Sequence, residues 1–511
     1  MKIHINQLGY KANSTPKKAI IPQSTPTTSP LTFEIICTKT NKPVFRGECG
    51  EAIYDTASAS MVRVADFSDF NEHGEFFVRA GSDTSYTFAI NDEPYKGLRA
   101  ALLEMFNYQK CGVAIDCGVW SHPPCHDSLA TVYGTDRRLD VSGGWHDAGD
   151  YGRYIVPAAK AVADLLLAHE LAPDKNLLET VWFEIEWFLK MQCKKTGGVY
   201  HKVSCRSFNA MHEKPHEEKG ELVISPMSLT ATANFVATMA MAARFYPERR
   251  ERLLSAAWRA WLWCRENSGM RGFVNPPGIS TGPYGDKNPN DELFWAACEL
   301  FGATGSEKVH GYAKNRIYLG LGWANVGTYG IIAYLRNPNA SSAIAAKMKS
   351  RLWLECERIM KNFAREPYGT SLNNFFRWGS NLDVANNAMH LLLYDRLVER
   401  RADYRNAAME HMHYLLGRNP LSKSYISGFG TDSLQNPHLR TTVAAGATFP
   451  GLVTGGPNAN AIRTNDAAWK KHCLGKPPSM CYVDDSDSYS TNEITIYWNS
   501  PVYFLASVLG M

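Results

Sequence analysis

The sequence predicts a small β-sandwich followed by a large all-α body. Three observations carry this: residues 1–92 alternate in short runs, residues 93–511 carry a helical period, and the change of character falls at DEPYKG. In the first part the runs IHINQLGY, KKAIIP, TFEIICT, MVRVADFS, GEFFVRA and SYTFAI are separated by Gly, Pro, Asn and Ser. Such short alternating runs punctuated by turn residues are the pattern of a sandwich. From GLRAALLEMFNYQKCG onward, through VPAAKAVADLLLAHEL, NLLETVWFEIEWFLKMQC and SLTATANFVATMAMAARFY to TNEITIYWNSPVYFLASVL, apolar residues recur at helical spacing. About twelve such segments, with no strand alternation between them, predict a helical toroid whose site lies in the loops at one end.

Composition narrows the partners. With 45% hydrophobic and 20% charged residues the chain of 511 residues is that of an ordinary globular protein, large enough for two units. The net charge of +4 is spread without a dominating basic block, which argues against nucleic acid. No run of 18 apolar residues occurs, which argues against a membrane-spanning helix. The start MKIHINQLGYKANS alternates like a strand and lacks the features of a secretory signal, so a cytoplasmic location is expected. Twelve cysteines at irregular spacing predict buried thiols, not a disulfide framework. The 12% aromatic content suits the apolar faces of sugar rings.

Two segments carry carboxylates suited to acid–base work. GGWHDAGDYGRY, residues 143–154, places Asp147 and Asp150 three residues apart in a glycine-flanked loop running into a helix. Both are able to face one water, although two Asp near a helix start also serve as caps. YVDDSDSYSTNEITIYWNS, residues 482–500, places Glu493 at the entrance of an apolar run, where burial would keep its proton. An acidic residue at a helix start also satisfies the dipole. A base for water and an acid for the leaving oxygen, carboxyls roughly 6.5–9.5 Å apart, would hydrolyse a glycosidic bond with inversion. Separately, Cys111, Cys125, His126 and His146 offer two thiolates and two imidazoles, a set suited to tetrahedral zinc. Their spacing is not that of a zinc finger, and Cys117 and His122 are nearby alternatives. Four protein ligands would make the zinc structural, pinning the loop of Asp147 through its neighbour His146.

These segments resemble glycoside hydrolase family 9, the cellulase family. GGWHDAGDYGRY is similar to its Asp-Ala-Gly-Asp segment, and the C-terminal signature is matched at Tyr482, Asp484, Tyr489, Glu493, Thr495, Asn499 and Ser500. SYISGFGTDSLQNPHLR resembles the signature that ends in His-x-Arg, here His438 and Arg440. It departs at Asp432, where the family carries Asn, Lys or Arg, so altered loop contacts without loss of activity are expected. INQLGY, NPNDELFWAA and RWGSNLDVANNAM extend the likeness nearly end to end.

The resemblance implies an N-terminal Ig-like β-sandwich, residues 1–92, followed by an (α/α)6 barrel, residues 93–511. It implies Asp150 as general base, Asp147 as its helper on the same water and Glu493 as general acid. His438 and Arg440 would hold sugar hydroxyls, Asp484 would support the loop of the acid, and Trp378 and Tyr489 would present aromatic faces. Shorter members of the family carry a structural zinc in the loop of Cys111, Cys125, His126 and His146. Asp291 and Glu292 match a calcium-holding pair, weakened here because Asn325 stands where a third carboxylate is expected. No organic cofactor is implied. The expected activity is inverting hydrolysis of β-1,4-glucosidic bonds in soluble cellulose-derived glucans, as an endoglucanase or cellodextrinase. Asp383 stands where cellulases often carry an apolar residue and could bind a terminal hydroxyl or amino sugar. That admits an exo-acting β-glucosidase or exo-β-glucosaminidase, depending on whether the loop from Arg206 to Gly220 walls off one end of the cleft. A non-catalytic sugar-binding protein would be expected to lack one of the three carboxylates, and all three are present.

Overall fold

The structure is a computed structural model that describes residues 2–23 and 29–511. Ten strands build the N-terminal part: β1 Lys2–Ile3, β2 Gly9–Lys11, β3 Lys18–Gln23, β4 Thr32–Cys37, β5 Lys42–Glu48, β6 Ile53–Asp55, β7 Ser60–Asp66, β8 Gly74–Ala80, β9 Asp83–Ser85 and β10 Phe88–Asn91. One sheet runs β1-β9-β8-β10-β2, with β4 pairing β8 and β5 pairing β4; the other runs β3-β7-β6. Alternate residues of the facing strands, among them Phe33, Ile35, Phe76, Val78 and Phe88, close a core between the sheets.

Helices follow: α1 Lys96–Tyr108, α2 Ile155–Leu171, α3 Lys175–Met191, α4 Leu229–Ala242, α5 Arg250–Glu266, α6 Asn290–Thr304, α7 Glu307–Asn315, α8 Gly327–Arg336, α9 Ser342–Phe363, α10 Ser380–Leu397, α11 Ala402–Leu415, α12 Arg440–Ala445, α13 Ala467–Cys473, α14 Tyr489–Asn492 and α15 Ile496–Leu509. Helices α2, α4, α6, α8, α10 and α15 form an inner ring, and α1, α3, α5, α7, α9 and α11 pack outside it. Sequence explains the sorting. The inner α4 and α15 are built from small and apolar residues and are buried along their whole length. The outer α3 and α9 bury one stripe and keep charged residues on the other face. This is the expected double ring of six helix pairs.

The expectation that no strands lie within the helical part is corrected. Short strands β11 Ala130–Val132, β12 Arg138–Leu139, β13 Arg153–Tyr154, β14 Lys202–Ser204 and β15 Val223–Ile224 form a sheet in the order β12-β11-β15-β14-β13. Each is only two or three residues long, too short for alternation to be legible in the sequence. This sheet presents the end of the GGWHDAGDYGRY loop and Lys202 beside one another.

The segment INQLGY joins the two parts. Gln7 receives the Asp432 N–H on its side-chain oxygen at 2.8 Å and donates its amide to the Ser422 carbonyl at 2.8 Å, while its own N–H meets the Leu416 carbonyl. Asn6 bonds His413 Nδ1 at 2.9 Å, and His4 Nδ1 bonds the Tyr368 hydroxyl at 2.9 Å. Twelve cysteines are free thiols, nine of them buried. No helix among the described residues is long and apolar enough to cross a membrane.

A charged group fixes the inner ring. The Asp164 carboxylate on α2 accepts from Lys160 Nζ at 2.5 Å, Tyr329 OH of α8 at 2.5 Å and Ser500 Oγ of α15 at 2.7 Å, and all four residues are buried. Asp164→Ala strands the Lys160 ammonium in the core and is expected to cost about 3–5 kcal/mol. Urea or thermal unfolding checks this, and a loss below about 1 kcal/mol would show that the pair carries no such constraint.

Candidate active site

The loop after Val141 is shaped by contacts that leave no room for other side chains. Gly144, at φ 80°, passes so close to Trp187 that an added Cβ would lie 2.6 Å from the ring. The N–H groups of Trp145, His146 and Asp147 then donate to Glu184 Oε2, the Gln109 carbonyl and the Gly152 carbonyl at 2.6, 2.7 and 3.0 Å. The loop is thereby locked before it delivers its two carboxylates. Asp147 is fully buried; one oxygen accepts from the Tyr284 hydroxyl, and the other, Oδ1, has no hydrogen-bond partner among the described residues. Asp150 is partly exposed at the cleft floor, and its Oδ2 accepts from the Gly152 N–H at 3.0 Å and the Tyr154 hydroxyl at 2.9 Å.

Glu493 stands at the entrance of the apolar run that becomes α15, and not within a helix start. It stands in extended conformation between α14 and α15, two residues before the Thr495 cap, and pairs as a β-bridge with His438. The Ile496 N–H donates to the Asp147 carbonyl at 2.8 Å, tying the two catalytic segments together. Burial, and next the Asp150 charge, push the Glu493 carboxyl up to about 8, against the pull of Arg440. Burial, then Asp150 and Glu493, likewise raise Asp147 well above the usual carboxylate range.

Asp150 and Glu493 line a cleft of about 1230 Å³ that includes Tyr284, Trp323, Trp378, Tyr497, Trp498 and Phe208, with Asp147 buried behind it. That volume exceeds the usual few-hundred to roughly 1,000 Å³ of a pocket for one small molecule and suits an extended ligand. Trp378 is 43% exposed on the wall, and Tyr489 packs behind it at 5.4 Å without itself lining the cleft. His438 Nδ1 donates to the Ser486 carbonyl at 2.5 Å, which leaves Nε2 as an acceptor. Arg440 is buried; its guanidinium donates to the Gly149 carbonyl at 2.6 Å and to the Asn209 carbonyl at 2.9 and 3.2 Å. Asp484 accepts from the Gln435 and Asn436 N–H groups at 2.9 and 2.8 Å and from Asn492 Nδ2 at 3.2 Å, beside the acid. Lys423 bridges Asp484 at 3.0 Å and Asp432 at 2.8 Å. Asp383 lies in the cleft with both oxygens held by Arg377 at 2.8 Å. From the loop between Arg206 and Gly220, Phe208 reaches the cleft.

Two further clusters gather metal-binding side chains. The ligand atoms of Cys111, Cys125, His126 and His146 lie within 4.8 Å of one another and are buried. Cys111 Sγ stands 3.7 Å from His126 Nδ1, and Cys125 Sγ stands 3.8 Å from His146 Nε2. The two thiols share a hydrogen bond that favours the thiolate at Cys125, while burial pushes Cys111 well up. The remaining nitrogen of His126 meets Glu218 at 2.8 Å, the carboxylate–histidine arrangement that orients metal ligands. Cys117 and His122 stand outside the set. Asp286, Asp291 and Glu292 form the second cluster. Asn325 is exposed, and Asp286, from the loop before α6, joins Asp291 and Glu292 as a third carboxylate. Both Glu292 oxygens and Asp286 Oδ2 are buried without partners among the described residues, a donor set that fits a hard cation.

Comparison with known proteins decides the family. Residues 95–506 match Glycosyl hydrolase family 9, and residues 1–85 match the Cellulase N-terminal ig-like domain. The chain belongs to glycosyl hydrolase family 9. It is 34% identical to the cellodextrinase of Butyrivibrio fibrisolvens, with 99% of each chain covered. The solved structure of a thermostable endoglucanase mutant from Alicyclobacillus acidocaldarius superposes with a TM-score of 0.93 at 37% identity, covering 99% of each chain. A Zn-binding triple mutant of the family 9 endoglucanase J30 superposes with a TM-score of 0.90 at 28% identity, again covering 99% of each chain.

This family 9 enzyme therefore is a glycoside hydrolase with an Ig-like sandwich on an (α/α)6 barrel. Sequence reasoning missed Tyr154 and Tyr284, which hold the two Asp carboxylates, and Asp286 in the acidic cluster. Tyr154 stood in the quoted motif, four residues from Asp150, and Asp286 stands five residues before Asp291, so the reach of both was readable; Tyr284 comes from a loop far from Asp147 in sequence, with no local signal. Because a general acid must be protonated, kcat/KM is expected to fall about tenfold per pH unit above about pH 8, as Glu493 ionises. A pH–rate profile on a soluble cellodextrin checks this, and an alkaline limb near pH 5 would exclude Glu493 from the role.

Proposed function

We propose that the enzyme hydrolyses β-1,4-glucosidic bonds in soluble cellulose-derived glucans with inversion, as an endoglucanase or cellodextrinase. The observation that carries this reading is the pairing of a proton-retaining Glu493, held up to about 8, with a partly exposed Asp150 fixed by two donors on the floor of one aromatic cleft. Glu493 gives its proton to the leaving glycosidic oxygen. Asp150 takes a proton from the water that attacks the anomeric carbon from the opposite face, and the unpartnered Oδ1 of Asp147 turns toward that water. Aromatic faces such as Trp378 pack on pyranose rings, while His438 and the Arg440-held backbone shape the binding floor.

The glucan reading is preferred over the exo-β-glucosaminidase on a specific observation. The Asp383 charge is already matched by a bidentate Arg377, one hydrogen bond to each oxygen, so the cleft offers no uncompensated carboxylate there for the ammonium of an amino sugar. The names of relatives, a cellodextrinase and an endoglucanase, agree with this choice. Time courses on reducing-end-labelled cellopentaose, with the chitosan pentamer alongside, test it. Mixed short cellodextrins at early times are expected, with the α-anomer formed first, and Glu493→Gln is expected to lower turnover at least about 100-fold while leaving binding intact. Stepwise release of single glucose or glucosamine units would overturn the endo-acting reading.

We further propose that the Cys111, Cys125, His126 and His146 cluster holds a structural zinc and that Asp286, Asp291 and Glu292 hold calcium. A four-ligand zinc supplies shape, not chemistry, by fixing the loop that continues from His146 to Asp147. A family 9 structure described as Zn-binding agrees with the capacity of this fold for the ion. About one zinc per chain is expected in fresh protein, with a lower melting temperature after chelation. Metal analysis finding no zinc, with an unchanged melting curve in chelator, would remove the assignment.

A further inference from the structure

Lys202 on β14 lies under the cleft and is fully buried, and nothing in the acid–base scheme uses it. Its three ammonium hydrogens are matched by three acceptors: the Thr281 carbonyl at 3.1 Å, Thr281 Oγ1 at 2.9 Å and the Gly282 carbonyl at 2.7 Å. Its strand neighbours bind the same segment. His201 Nε2 bonds the Pro283 carbonyl at 2.8 Å, and Ser204 Oγ bonds Thr281 Oγ1 at 2.8 Å. The segment so stapled leads directly into Tyr284, held at φ 42°, in the left-handed region that non-glycine residues rarely occupy. Such a backbone persists only where its surroundings over-determine it, and here the outcome is the hydrogen bond from Tyr284 to Asp147.

The same ammonium reaches the other carboxylate. Lys202 Nζ stands 5.4 Å from the ring centre of Tyr154, whose hydroxyl donates to Asp150. The Tyr154 and Tyr284 rings meet edge to face at 4.9 Å. One buried cation thus backs both tyrosines that hold the catalytic pair. The groups that feel the Asp150 charge are Tyr154, Asp147, Glu493 and Lys202, and Arg440 acts on Glu493 from the other side.

We propose that Lys202 is a positioning residue for water activation: it sets the Thr281–Tyr284 segment so that Tyr284 holds Asp147, and it places positive charge beneath Asp150. The proposal rests on the reading of Asp150 as base with Asp147 as helper. Burial pushes the Lys202 ammonium down to about 7, with Asp150 opposing, so the group is protonated across the acidic limb of the pH profile.

The test uses the full chain and two substrates, a cellodextrin and β-cellobiosyl fluoride. In the second, water attacks the anomeric carbon, its proton goes to the base and fluoride departs with little help from an acid, so the water-activating half is read alone. Lys202→Met and Lys202→Gln are expected to lower kcat about 10-fold to 100-fold on both substrates, with KM within about twofold, and to move the acidic limb of kcat/KM to higher pH. Thr281→Ala, which removes one acceptor and keeps the charge, is expected to lower kcat without moving that limb, and it serves where the Lys202 variants do not fold. A wild-type kcat with an unmoved acidic limb in a folded Lys202 variant, or a wild-type kcat in Thr281→Ala, would overturn the proposal. Asp150→Asn separates the two failures. If it keeps turnover on the fluoride, the base reading fails; if it is inactive while the Lys202 variants turn over normally, only the role of Lys202 fails.

Discussion

Three carboxyl groups crowded on one largely buried floor cannot all ionise together, and much of the surrounding structure serves to decide which of them keep their protons. Asp147 feels the charges of Asp150 and Glu493, and Glu493 that of Asp150, in a place where little water is present to screen them. The response is asymmetric. Asp150 is given two donors and partial exposure, whereas Glu493 is buried with its proton retained up to about 8. The acid and base roles proposed for Glu493 and Asp150 are thus separated by environment, although their side chains are chemically alike.

That asymmetry is held at several distances. The glycines before Asp147 let the loop run tightly against Trp187, and His146 carries the same loop to the cluster of Cys111, Cys125 and His126. On the opposite side, Asp484 and Asn492 fix the chain just before Glu493, and Lys423 joins Asp484 to the unusual Asp432. Gln7, from the N-terminal sandwich, then holds the Asp432 backbone. The sandwich therefore reaches the loop of His438 through hydrogen bonds, which gives it a physical part in ordering the site.

The rings of helices explain why so polar a floor is tolerated. Inner helices such as α4 and α15 are buried on every side, so they form a rigid wall whose loops have few alternative positions. Polar groups within that wall, such as Asp164 with its three donors, are satisfied by partners on neighbouring helices. Rigidity of this kind lets a strained residue such as Tyr284 persist beside the reacting groups.

The sequence by itself determined the two-part architecture, since alternation and helical period are local properties that each segment carries alone. It also determined the catalytic candidates, because Asp147 and Asp150 share one short loop and Glu493 sits in a motif of many matched positions. Tertiary structure alone decided what depends on chains meeting from afar. Glu493 proved to stand on extended backbone between two helices, bridged to His438 from a segment some fifty positions away in sequence. Over shorter spans, the loop before α6 folded Asp286 onto Asp291 and Glu292, and Arg377 closed over Asp383 from just before α10. Lys202 and Gly282, 80 positions apart, met beneath the cleft, with Lys202 carried on a sheet whose strands are too short to leave a pattern. Periodicity reports which face of a segment is buried; which distant group shares that burial is fixed only when the loops close.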